Sequence, residues 1–128
     1  MTRINIGINP SKLCNKHLLA EHRELKRIPN MIHIGRYKLE NIPKQFTLGK
    51  GHVCFFYDKL LYLKNRYISL HKECIRRGFH VTNFIEAFKG LPKSLMNNYF
   101  PTKRDKDIIK KRINQKLLLM DEDSKWFL

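Results

Sequence analysis

The sequence predicts an all-α protein: one compact domain of three main helices joined by irregular segments. Three observations lead there. Apolar residues recur at three-to-four spacing in three separate stretches. Helix-initiating residues precede these stretches, and proline or glycine follows the first two. The 128 residues suffice for a single core but not for two, so residues 1–128 are read as one domain.

The first helix is predicted to start near Asn9-Pro10-Ser11, where an Asn or Ser cap and a proline in the first turn favour initiation, and to stop before Pro29. Cys14, Leu18, Leu25 and Ile28 mark its buried stripe, and the rest of its surface is charged. From Asn30 to Gly51 the period is broken by Gly35, Pro43, Gly49 and Gly51. A connection that long is usually functional or packed by its own side chains. The run from Gly51 to Lys59 places five apolar or aromatic residues behind a glycine and reads mostly as core. The second helix is predicted from about Asp58, taken as its cap, to Arg77, with Leu60, Leu61, Leu63, Tyr67, Ile68, His71, Cys74 and Ile75 periodic along it. Arg76 and Arg77 followed by Gly78 form its stop, because cations suit a helix C-terminus and glycine suits the turn beyond it. Thr102 with Asp105 three residues later has the form of a capping box, and Ile109, Ile113 and Leu117 then repeat at four on a very basic third helix. The acidic tail ends in Trp126 and Phe127, which either stack on exposed bases or pin the C-terminus to the core.

Charge narrows the function. Twenty-six Lys and Arg against 11 Asp and Glu give a formal net charge of +15. A folded domain this basic points to a polyanionic partner, because Lys and Arg release condensed counterions when they neutralise phosphates. Nucleic acid fits best. The three cysteines are dispersed, without a CxxC pair, which argues for reduced thiols inside a cell. No His or Cys set has metal-ligand spacing, so no metal is predicted. The first residues lack the apolar core of a signal peptide, and no apolar run is long enough to span a membrane.

The chemistry-bearing residues cluster early. Thr2 follows a methionine, and so small a residue normally permits methionine removal, leaving a free α-amine. That amine has an ordinary pKa of about 7.7–8.0, so a useful fraction is neutral and nucleophilic near pH 7. His17, Glu21 and Glu24 fall at i, i+4 and i+7, placing two carboxylates on one stripe of a helix whose other charges are cations. In a phosphate-binding protein a carboxylate facing the ligand costs affinity. Catalysis is one reason to keep it, and pairing with Lys and Arg on a solvated face is the other. Arg3, Arg23, Lys26 and Arg27 are natural phosphate clamps. His52, beside an apolar run, is either a phosphate contact or a packed structural residue.

The opening MTRIN, the run HLLAEHRELKR from His17 to Arg27, the run GHVCFFYDKLLYLKNR from Gly51 to Arg66, and RRGF from Arg76 to Phe79 together resemble the phage endonuclease V family of pyrimidine-dimer DNA glycosylases. Weaker similarity extends to about Lys116. The resemblance implies a compact all-α domain acting on damaged double-stranded DNA without metal or organic cofactor. It further implies an imine between the Thr2 amine and sugar C1′, followed by β-elimination. In that scheme Glu24 is the essential glutamate, Arg3, Arg23 and Arg27 grip DNA, and His17 is an active-site histidine. Two departures stand out: His22 occupies a position where the family carries tyrosine, and the aromatic, lysine-rich C-terminus is reduced to Lys-Trp-Phe-Leu. A different lesion, abasic sites alone, or a non-catalytic nucleic-acid-binding module on the same scaffold therefore stay open. The protein is expected to be an intracellular monomer.

Overall fold

The computed structural model describes residues 2–120, and within them the chain is helical with no strand. Trp126 and Phe127 lie outside the described residues. Five α-helical segments follow in order: α1 (Asn15–Glu24), α2 (Arg27–His33), α3 (His52–Phe55), α4 (Leu60–Arg76) and α5 (Lys103–Leu118). The three main helices predicted from periodicity are the α1–α2 pair, α4 and α5. No described helix is long and apolar enough to cross a membrane.

The first predicted helix is divided into three pieces. Asn9 does cap, its side chain accepting from the Ser11 N–H, but it caps only a 3-10 turn over Pro10–Lys12. Leu13 and Cys14 are then extended, and α1 begins after them. The reason lies 62 to 67 residues away in the chain: the Arg77 guanidinium donates to the carbonyls of Pro10, Ser11 and Leu13 and to the Asn15 side chain. These carbonyls are satisfied by a side chain, so the backbone need not continue as a helix. The predicted stop before Pro29 is also corrected. A turn at Leu25–Lys26 restarts the chain, and Pro29 is the third residue of α2. There its missing N–H costs nothing, because the first four N–H groups of a helix have no intrahelical acceptor. The stripe itself is right: Cys14, Leu18, Leu25 and Ile28 are all buried.

The long connection packs, as such connections tend to. Phe46 is fully buried, edge-on to Phe55, Phe56 and His52, and its carbonyl accepts from Arg104 of α5. Asp58 does not cap α4. The cap position is Lys59, whose ammonium reaches the Asp58 carboxylate at 2.8 Å. Leu60, Leu63, Tyr67, Leu70 and Cys74 form the buried face of α4, whereas Ile75, at the end of the predicted period, is exposed. α4 packs chiefly on α1. The Thr102–Asp105 capping box forms as predicted, and Asp105 also takes a hydrogen bond from Tyr99. Ile109 anchors α5 in the core.

What positions the site is the N-terminal segment. Ile4, Ile6 and Ile8 are buried in the same core as α1 and α4. Four clamps hold residues 4–8 of the segment. The Ile4 N–H donates to His52 Nε2 at 3.0 Å, and Asn5 Nδ2 to Glu21 Oε1 at 2.8 Å. The Gly7 N–H donates to the Tyr62 hydroxyl at 3.2 Å, and Arg66 donates to the Ile8 carbonyl at 2.8 Å. Gly7 has φ +72°, and a side chain there would meet Lys106 Cγ at 2.7 Å, so this turn against α5 requires glycine.

Candidate active site

A cleft of about 460 Å³ opens between the N-terminal segment, α1 and the C-terminal half of α5. Arg3 comes from the segment, Lys16, His17 and Glu24 from α1, and Arg112 and Lys116 from α5. Thr2 immediately precedes Arg3 and is itself only 9% exposed. The residues singled out from sequence thus divide. Arg3, His17, Glu21 and Glu24 all line this cleft. Arg23 lies on a neighbouring shallow groove with Lys16, His22 and Phe84. Lys26 stands over the Phe84 ring at 3.9 Å, and Arg27 is on the outer side of Glu24 at 3.7 Å.

His52 is not where a phosphate could meet it. The ring is 3% exposed, its Nδ1 donates to the Thr47 carbonyl at 3.0 Å, and its Nε2 accepts from Ile4. The two partners fix the neutral Nδ1–H tautomer. The expected DNA contact from His52 is replaced by an internal one, because both ring nitrogens are committed inside the core.

The two carboxylates of the α1 stripe have different surroundings. Glu21 is 1% exposed and accepts from Asn5 and from two nitrogens of Arg66, with Nη2 at 2.9 Å. Burial works against the Arg66 charge, but the charge and hydrogen bonds of Glu21 outweigh it and hold the guanidinium above its ordinary pKa. This is a buried ion pair with its hydrogen-bonding capacity largely used. Glu24, one turn on, keeps 15% of its side chain exposed, and among the described residues its ionic contact is Arg27 at a distance beyond hydrogen-bond length. It retains acceptor capacity facing the cleft.

Cations set the field in which Glu24 sits. Burial, and then the charge of Arg112, hold Arg3 below the ordinary arginine pKa. His17 is pushed below the ordinary histidine value by burial, then by Lys16 and Lys116, against a smaller pull from Glu21. Its ring is therefore mostly neutral at pH 7. Its buried Nδ1 has no hydrogen-bond partner among the described residues. Such a site can bind a phosphate-bearing polymer and hold one carboxylate against it.

Arg112 and Lys116 were read from sequence only as part of a generally basic helix. Their i, i+4 spacing flanking Ile113 was the available signal, but which face of α5 meets the cleft is a tertiary fact. Arg66 went unremarked because it interrupts an apolar period that its neighbours carry. Among the described residues no group of three His, Cys, Asp or Glu side chains is arranged to hold a metal.

A family model described as pyrimidine dimer DNA glycosylase matches residues 1–87, more than half of the chain, including the N-terminal segment, α1 and α4. With three helical units around one core, and a cationic cleft holding Glu24 beside the N-terminal segment, the chain belongs to the pyrimidine dimer DNA glycosylase family.

Proposed function

We propose that the chain is a DNA glycosylase and abasic-site lyase that acts on UV-induced cyclobutane pyrimidine dimers through the α-amine of Thr2. The observation that carries this reading is the shared cleft, in which Arg3, one residue from Thr2, lies with Glu24 and His17 inside a cationic surround. Whatever precedes Thr2 is removed, and the freed amine attacks C1′ of the damaged nucleotide. The glycosidic C1′–N bond breaks, its electron pair leaves with the base, and the base takes a proton. The amine gives up its protons as the sugar ring opens, O4′ takes one, and a C1′=N imine remains. Removal of a C2′ proton then drives β-elimination, breaking the C3′–O bond and releasing the phosphate on that side. Water hydrolyses the imine and returns the amine.

Glu24 has two roles in this scheme. Its negative charge stabilises the cationic character that the sugar gains as the glycosidic bond lengthens, and its oxygens then carry protons between nitrogen, O4′ and C2′. Neutral His17 lines the cleft and faces the sugar and phosphate groups bound there. Arg3, Lys16, Arg112 and Lys116 neutralise phosphates around the damaged nucleotide, and Arg23, Lys26 and Arg27 hold those on the adjoining groove. Protein groups and water supply every proton, so the scheme uses no metal or organic cofactor. All of these residues come from one chain, and a monomer suffices.

Borohydride trapping tests the reading directly. Three duplexes are compared, carrying a cyclobutane thymine dimer, an abasic site or no damage, with peptide mapping of any adduct. An adduct on the dimer through Thr2 is the expected result. Trapping at the abasic site alone restricts the activity to lyase chemistry on another lesion. No adduct on either damaged duplex, from protein whose mass confirms a free Thr2, overturns the enzymatic reading and leaves a binding module.

A further inference from the structure

We propose that His52 is a positioning residue for the Thr2 nucleophile: as a neutral acceptor for the Ile4 N–H, it sets how far the N-terminal segment extends into the cleft. This rests on the reading of Thr2 given above. Of the four clamps on the segment, this one is nearest to Thr2, two residues away. The other three act on Asn5, Gly7 and Ile8. Each residue of an extended chain spans about 3.3 Å, so the amine lies only about 7 Å of backbone beyond the clamped N–H. A lever that short transmits sub-ångström changes, and a misplacement of about 1 Å at a reacting centre can cost on the order of 100-fold in rate.

The clamp is built to hold one ring orientation and one protonation state. The Thr47 carbonyl accepts from the Nδ1–H, the Phe46 and Phe56 rings stand edge-on to the imidazole, and Gly51, with φ +89°, starts α3 directly before it. A side chain at Gly51 would press on Pro43 at 3.1 Å, so the turn that delivers His52 tolerates little change. Protonating Nε2 would set two N–H donors head to head and release the segment. The charged groups acting on the ring are Arg3, which opposes protonation, and Glu21, which favours it. Burial is the largest influence, and the net effect keeps His52 below the ordinary histidine pKa even with the Thr47 carbonyl pulling the other way.

The test compares wild type with His52→Gln, whose amide oxygen can accept from Ile4, and His52→Phe, which keeps a ring but no acceptor. Single-turnover borohydride trapping on an abasic-site duplex is measured from pH 5 to 8, with duplex affinity measured separately. His52→Phe is expected to trap at least about tenfold more slowly with affinity within about threefold, and His52→Gln to recover most of the rate. As pH falls, the wild-type rate should drop more steeply than that of His52→Gln, whose acceptor cannot be lost to a proton. Equal trapping by wild type and His52→Phe, or no recovery in His52→Gln, overturns the proposal. If His52→Phe does not melt cooperatively, the pH profiles of wild type and His52→Gln decide, and superimposable profiles overturn it. Failure of wild type itself to trap through Thr2 would instead remove the underlying reading.

Discussion

Glu21 and Glu24 are one helical turn apart on α1 and both line the cleft, yet their surroundings differ. Around Glu21 the molecule is closed: Arg66, Asn5 and the Ile8 carbonyl form a buried polar centre joining the N-terminal segment, α1 and α4. Around Glu24 it is more open: cations line the cleft, and among the described residues the ionic contact of Glu24 is Arg27 at 3.7 Å. On the proposed mechanism, the carboxylate saturated by fixed donors serves the fold, and the one with capacity to spare serves the chemistry. Spacing on a helix cannot distinguish the two, because the difference is made by residues from other elements.

That contrast can be broken from either side. The largest effect is expected from Glu24→Gln, with turnover on damaged duplex falling by about 10²–10⁴-fold, while duplex affinity and melting temperature stay near wild type. Equal turnover would move the catalytic role elsewhere. Glu21→Gln should do the reverse. Removing one partner of a buried pair strands the Arg66 charge, at a cost of about 3–5 kcal/mol in urea unfolding, while trapping per folded molecule falls far less than in Glu24→Gln. A variant replacing both Glu21 and Arg66 by Met should regain part of that stability.

A third measurement titrates the closed side alone. His22, next to Glu21, is buried against Tyr67 and His71, each 3.0 Å from its Nε2. Burial, then the nearby His71 and Lys26, lower its pKa from 6.5 to about 4. The unfolded chain therefore binds this proton more readily than the folded one. The stabilisation is complete above about pH 6.5 and is lost as pH falls toward 4, a difference of roughly 3 kcal/mol at about 1.4 kcal/mol per pH unit. His22→Phe should flatten the urea midpoint across that window, and an unchanged slope would show that other groups dominate. The smallest effect sharpens the open side. Arg112→Ala and Lys116→Ala should each weaken duplex binding and reduce the slope of log affinity against log salt by about 0.9, if each neutralises one phosphate. An unchanged slope would remove that residue from the DNA contact.

Local signals were legible in the sequence where one segment decides its own structure. The capping box at Thr102, the buried stripes of α1 and α4, and the glycine stop at Gly78 follow from a few adjacent residues. The division of the first helix was not legible, because it depends on Arg77 reaching back to Pro10, Ser11 and Leu13. Asp58 looked like a cap and instead receives the Lys59 ammonium. At the candidate site, Arg3, His17 and Glu24, which type, spacing and family resemblance single out, line one cleft. The contribution of Arg112 and Lys116, and the inward turn of His52, required the packing of α5 and the Phe46 connection.

The clamped N-terminal segment also imposes an order of events during synthesis. Ile4 meets His52 and Ile8 meets Arg66 only after 48 and 58 further residues have been added. At about 5–20 residues per second, that is a delay of roughly 2–12 s. Until then the first residues have no partner and are open to an aminopeptidase; afterwards Thr2 is 9% exposed and Ile4 fully buried. On the proposed mechanism, maturation of the nucleophile and completion of the fold are thus in competition for the same segment. On this mechanism trimming is easiest before the segment docks, and a chain still untrimmed carries a blocked amine.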